Sequence, residues 1–229
     1  MTNGYLYHII LGAWITIEIA LCSLAVATIL GMIAATMKLS ENKLLKNMAF
    51  AYSTLIRGVP DLILLMLVFY GGQTLINIIA PYFGHNDYID VNPFVAGILT
   101  LGFNVGAYLS ETFRGAIMAI APGQKEAAIS LGMNSFQIFF KITLPQMIRL
   151  SLPGFINNWL VLTKTTALVS IIGLQDIMFK SKAAGDATQE PFTYFLFAGL
   201  IYLFITSVSL WILHRLEDKY SIGLKTIQL

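Results

Sequence analysis

Four ionisable side chains, Glu18, Asp61, Glu111 and Lys164, stand inside or at the edge of long apolar runs. Each costs roughly 2.5 to 3.5 kcal/mol at the centre of a membrane helix unless it is paired or faces a wet cavity. Their chemistry is therefore charge recognition or ion pairing. Catalysis has no footing here: the sequence contains no Gly-x-x-x-x-Gly-Lys-Ser/Thr phosphate loop, no HExxH and no nucleophile elbow, so no catalytic residue is expected. His8, His85 and His214 lie far apart at the borders of apolar runs, which fits interfacial residence and gives no metal site. The single cysteine, Cys22, excludes an internal disulfide and reads as a small apolar packing residue.

The spacing of these residues sets their alternatives. Glu18 lies about 14 Å along a helix begun at Ile9, and Lys164 about 16 Å along one begun at Pro153. At that similar depth they form an ion pair, are held by a sister subunit, or touch a substrate. Asn157, Lys164 and Thr165 recur at i, i+7 and i+8, with Asn158 and Thr166 alongside, giving a polar stripe for helix contacts or for a translocation path. Glu111 precedes Arg114 by three residues, the spacing of a helical ion pair. Asp61 follows Gly58-Val59-Pro60, where proline removes a backbone donor. If residues 44–56 enter the membrane, Asp61 lines a path; if they lie on its surface, Asp61 caps a helix.

The elements that position these groups follow from composition. Of 229 residues, 57% are hydrophobic and only 11% charged, with a mean hydropathy of +0.74. A soluble domain carries about 25% charged residues, so most of this surface must face membrane lipid. A net charge of +2 without a basic stripe argues against a nucleic acid partner. Runs near 20 apolar residues, the length a bilayer core requires, cover residues 9–36, 60–83, 93–113, 153–178 and 192–213. The first is too long for a signal peptide core. Without alternating strand patterns the expectation is an all-α protein of five transmembrane helices in one domain, residues 1–229.

Basic residues orient the bundle, because cytoplasmic loops are rich in Lys and Arg. Segments 37–59, 114–151 and the tail carry eleven, including Lys38, Arg57, Arg114 and Lys225, whereas the opposite loops carry only Lys180 and Lys182. The N-terminus is therefore expected outside and the C-terminus inside, with Asp87 and Asp90 in a short external loop.

The longest inner segment, 115–152, reads as two short helices: Pro122-Gly123 starts the first, Gly132 stops it, and an amphipathic piece over 136–142 ends at Pro145. Phe139 and Phe140 leave it an apolar docking face. Within it stand Glu126-Ala127-Ala128, three residues, Gly132, nine residues, Ile142, one residue and Leu144-Pro145. That spacing resembles the EAA loop of permease subunits of ATP-binding-cassette (ABC) importers. Five helices, Arg57-Gly58-Val59-Pro60 and Thr165-Thr166-Ala167-Leu168-Val169-Ser170 followed by Gly173-Leu174 extend the resemblance to the polar amino acid branch. Within it the chain is most similar to the Q-type permeases of histidine, lysine, arginine and ornithine uptake, and to opine permeases.

The resemblance implies a type I importer permease fold in a bacterial inner membrane, moving cationic amino acids by ATP-driven alternating access. It implies four kinds of partner: a homologous second permease subunit around a pseudo-twofold axis, two ATPase subunits, a periplasmic amino-acid-binding protein, and lipid. The chain itself would hold no cofactor, ATP and Mg belonging to the ATPases. Glu126, Ala127, Ala128 and Gly132 would form the ATPase-coupling element, and Asp61, Asn157, Asn158, Lys164, Thr165 and Glu18 the pathway candidates. A stand-alone secondary transporter predicts an inverted repeat, which the sequence does not display. A membrane assembly subunit without its own path is the other alternative.

Overall fold

Apolar stretches in lipid must satisfy every backbone N–H and C=O internally, and this chain does so with helices. The computed structural model describes residues 2–221 and holds no strand among them. In chain order the helices are α1 (Thr2–Lys38), α2 (Lys43–Gly58), α3 (Asp61–Phe83), α4 (Pro93–Met118), α5 (Pro122–Ser130), α6 (Ser135–Ile172), α7 (Ile177–Thr188) and α8 (Pro191–Ser221). Five of them, α1, α3, α4, α6 and α8, are long and apolar enough to cross a membrane. Local chemistry marks their starts. Asn42 and Asn92 accept from Leu44 N and Phe94 N, and Asn134 forms a reciprocal cap with Gln137 ahead of α6.

Two spans differ most from the sequence expectation. The third span runs on to Met118 rather than stopping at 113, and the fourth begins at Ser135 and ends at Ile172 instead of covering 153–178. The non-spanning loop expected over 115–152 therefore shrinks to 119–134. Pro145 does not end a helix: it lies in the first turn after a widened π turn over Phe139–Thr143, where its missing N–H breaks little. Pro153 is interior to α6, as membrane helices allow when neighbouring groups re-satisfy the freed backbone. Met178 belongs to α7, beyond the turn at Gly173.

α4 is the central element: 61% of its most apolar window is buried within the chain, against 6% for α3 and for α8. Those two therefore turn most of their surface toward lipid or other subunits. α1 packs along α4 through small residues on both sides. On α1, Ser23, Ala27 and Ala35 are fully buried and share a face with Gly31. On α4, Gly102 and Gly106 form a Gly-x-x-x-Gly pair, and a Cβ at Gly102 would meet Val26 Cγ1 at 2.7 Å. α6 also packs on α4, α7 joins α1 to α8, and α2 contacts both α1 and α4. Cys22 does not pack inside; it lies exposed on α1.

Candidate functional site

The charged end of the α1 and α4 pair is organised around one carboxylate. Glu111 Oε2 accepts from Arg114 Nε at 2.9 Å, the expected i,i+3 pair. Its Oε1 accepts from Lys38 Nζ at 2.8 Å, a lysine fully buried at the C-terminus of α1 that also donates to Ser110 Oγ at 2.7 Å. Arg57 stands 3.8 Å from the same Oε1, with its guanidinium over the Tyr108 ring at 5.4 Å. One carboxylate thus faces three cations from α1, α2 and α4.

The 44–56 segment does not lie free on a surface. Tyr52 donates to the carbonyl of Phe103, ten residues inside α4, and its ring packs on Phe103 at 4.6 Å between centroids. α2 therefore runs against the body of a spanning helix, and the Gly58–Pro60 break follows from there. Pro60, with ψ of 137°, stands ahead of α3, and Asp61 occupies its first turn half-exposed. Pro60 offers no side-chain cap, and the Asp61 carboxylate stands at the N-terminus of α3, where the helix dipole favours a negative charge.

The polar stripe of α6 divides into two faces. Asn158 donates to Thr112 Oγ1 at 3.2 Å and to its own helix at Gly154 O, which ties α6 to α4. Thr166 is buried and Thr165 half-buried, each bonding a carbonyl one turn back. Asn157 and Lys164 turn outward, seven residues apart on the exposed face. Lys164 makes no ion pair with Glu18, which is half-buried on α1, so the expected pairing of these two is not found among the described residues.

The short loop after α4 carries α5, which ends in a Schellman turn. Gly132, at φ of +75°, donates to Ile129 O at 2.9 Å, and Met133 donates to Ala128 O at 3.1 Å. Glu126 and Ala127 are exposed, whereas Ala128 is only 3% exposed, so the two alanines do not share one outer surface. Ile129, Leu131 and Phe136 add exposed apolar area beside them, and the Phe136 and Phe140 rings pack at a tilt of 46° with centroids 4.4 Å apart. Phe140 is exposed and Phe139 half-buried.

This arrangement has relatives. The family described as "binding-protein-dependent transport system inner membrane component" matches residues 27–222. The chain belongs to that family. The histidine/lysine/arginine/ornithine transport system permease protein HisQ of Salmonella typhimurium is 47% identical over 229 residues, all of both chains. The arginine ABC transporter permease protein ArtQ of Escherichia coli is 36% identical, covering 90% of this chain and 91% of the other. Among solved structures, an amino acid ABC transporter crystallised with histidines aligns at a TM-score of 0.80 with 30% identity, over 95% of this chain and 96% of that one. The MetNI methionine ABC transporter, at a TM-score of 0.77 and 14% identity, shares the fold. This inner membrane component is a multi-pass, all-helical permease of the ABC importer type.

Two features of the permease escape sequence reading. Lys38 counts there only as an orienting charge, because nothing local shows that a residue ending α1 meets one 73 positions later. Asp176 caps α7, accepting from Phe179 N at 2.9 Å, and is fully buried against α1. Burial pushes its carboxyl up to about 6. Asp176 immediately ahead of the apolar Ile177-Met178-Phe179 was available as an N-cap signal.

Proposed function

We propose that this chain is the permease subunit of an importer that carries basic amino acids across the inner membrane, working with a homologous permease, two ATPase subunits and an external binding protein. The full-length identity of 47% to a histidine/lysine/arginine/ornithine permease carries this reading. The single permease domain spans the whole chain in this reading. Its N-terminus lies outside, its tail inside, and the α5 loop faces the ATPases. Lys225 and the end of the tail fall outside the described residues.

ATP-driven closure of the ATPases would draw the loop and α4 inward and open the path outward; hydrolysis would return it. ATP and Mg belong to the partners. Glu126 and Ala127 present a charge and a small side chain to the ATPase, and Ala128 and Gly132 shape the turn beneath them. Asp61, Asn157 and Lys164 face the path, with Glu18 beside it at similar depth. Asn158 and Thr165 hold α6 in register. A carboxylate near a helix break suits an ammonium or guanidinium cargo. The opine alternative is not favoured: the nopaline transport system permease protein NocQ of Agrobacterium fabrum is 40% identical over 86% of this chain, against 47% over the whole chain for HisQ.

Reconstitution of the whole system tests this: ATP-dependent uptake of lysine, arginine or histidine in preference to nopaline is expected. Preference for nopaline would give the opine reading, and uptake without the ATPase would overturn both. A cytoplasm-only reporter fused after Leu229 should be active, and one within residues 84–92 silent.

A further inference from the structure

α8 carries no Asp, Glu, Lys or Arg from Pro191 to His214, and its first formal charge, Arg215, marks where hydrocarbon ends on this helix. Along that apolar length a cleft of about 370 Å³ opens between α1, α6 and α8. Leu21 and Leu24 of α1 line it, with Phe155 and Trp159 of α6 and the stretch of α8 from Phe204 to Leu213. Trp159 is only 8% exposed and its indole N–H is buried. Ser209, the one hydroxyl on the wall, donates to its own helix at Ile205 O at 2.8 Å. The cleft therefore suits an aliphatic occupant. Phe204 and Leu213 are nine residues apart, about 14 Å at 1.5 Å per residue, or about half of a 30 Å hydrocarbon core. That is the depth of one leaflet.

Beyond Leu213 the lining turns cationic. Ile205, Val208, Ile212, Arg215 and Lys219 recur every three or four residues, so both cations continue the stripe of α8 that lines the cleft. Arg215 is exposed with its guanidinium over the Trp211 ring at 4.9 Å, and Lys219 is exposed one turn further on. Neither forms an ion pair among the described residues. Glu217 and Asp218 lie off this stripe, roughly 140° and 120° round the helix from Ile212 at about 100° per residue.

We propose that this cleft holds one acyl chain of an anionic phospholipid whose phosphate is bound by Arg215 and Lys219. The guanidinium offers paired donors to two phosphate oxygens, the Trp211 ring fixes its plane, and the lysine adds a second charge. An acyl chain gains little by leaving bulk lipid for the cleft, since lipid tails are equally apolar. Selection of one lipid over another therefore falls to the headgroup, where each Lys or Arg near the surface favours an anionic lipid by about fivefold. The bound chain supplies packing that α8 lacks against its own polypeptide, because α1 and α8 face each other across it. Neither the cargo nor the direction of transport enters this contact.

The test uses the assembled permease and ATPase complex in nanodiscs of equal phosphatidylglycerol and phosphatidylcholine. Phe204, exposed on the cleft wall, is replaced by photoreactive benzoylphenylalanine, and the adducts are identified by mass spectrometry. After illumination, phosphatidylglycerol adducts should exceed phosphatidylcholine adducts by about fivefold or more. Arg215→Gln combined with Lys219→Gln should bring that ratio near one while lipid adducts persist, and Arg215→Lys should keep part of the preference. Ser209→Phe, which fills the cleft, should lower both adducts together. If the double variant does not assemble, raising the salt to about 1 M with Arg215 and Lys219 in place decides the matter, because screening should drive the ratio toward one. Adducts that follow the disc composition with or without the basic pair would overturn the proposal and leave ordinary bilayer contact. Cross-linking to the homologous permease in place of lipid would assign the cleft to a subunit interface and overturn it equally.

Discussion

Lys38 Nζ lies 2.8 Å from Glu111 Oε1, the lysine fully buried and the glutamate side chain 26% exposed, so the C-terminal parts of α1 and α4 are joined by a charge pair. Removing one partner of such a pair leaves the other uncompensated, at a cost of about 3 to 5 kcal/mol. Glu111→Gln should therefore lower the thermal stability of the detergent-solubilised permease markedly. The double variant Lys38→Met with Glu111→Gln should lose less than Glu111→Gln alone. Strictly additive losses in a thermal-melt comparison of Lys38→Met, Glu111→Gln and the double variant would show that the pair is not coupled.

Gly132 is held at φ of +75°, a conformation costing an L residue on the order of 1 to 2 kcal/mol and a β-branched one more. Gly132→Val should insert normally and leave basal ATP hydrolysis of the complex intact, while hydrolysis no longer rises with uptake. A cysteine placed at exposed Ala127 should cross-link to an ATPase subunit in the wild-type background and poorly in the variant. Full coupling with no cross-link would place the ATPase contact elsewhere.

Asp61 is tested by comparing cargo of different charge. Asp61→Asn keeps the shape and removes the charge, so uptake of lysine or arginine should fall by at least about tenfold more than uptake of histidine at alkaline pH, where histidine is neutral. An equal fall for both substrates would reduce Asp61 to a helix-end charge worth a fraction of a kcal/mol.

The five membrane spans were legible in the sequence because membrane thickness fixes both length and polarity. The ends were less so. Pro153 read as a helix start, since in water proline breaks a helix, and α6 passes through it because neighbouring groups in a bundle replace the lost bond. Glu111 and Arg114 were found as a pair because helix geometry is local; Lys38 and Arg57 joined them only through tertiary packing. The polar stripe of α6 was visible as a period, yet the period alone could not show that Asn158 turns to Thr112 while Asn157 turns away. Gly102 and Gly106 carried a readable packing signal of their own, in the spacing that lets membrane helices touch.

Asp176 gives a pH signature. Burial raises its carboxyl from 3.8 to about 6, so the fold favours the protonated form. The associated stability is complete below the unfolded value, declines as pH climbs through that window, and is gone above about 6, a difference on the order of 2 to 3 kcal/mol. The wild-type complex should melt higher near pH 5 than near pH 7.5. Asp176→Asn, which retains an acceptor for Phe179 N, should flatten that slope; an unaltered slope would assign the pH dependence to another group.

The close seam between α1 and α4 also decides where this molecule can bend. With Val26 lying where a Cβ of Gly102 would fall, the two helices interlock tooth by tooth, and neither can slide along the other without first separating. They form a single stiff bar, from which Met118 leads within four residues to α5. A push on that short helix reaches the bar as a tilt of the whole. Compliance is left to the places where the regular helical ladder is already interrupted: the widened turns at Leu67–Gly71 and Phe139–Thr143, and the break between α2 and α3.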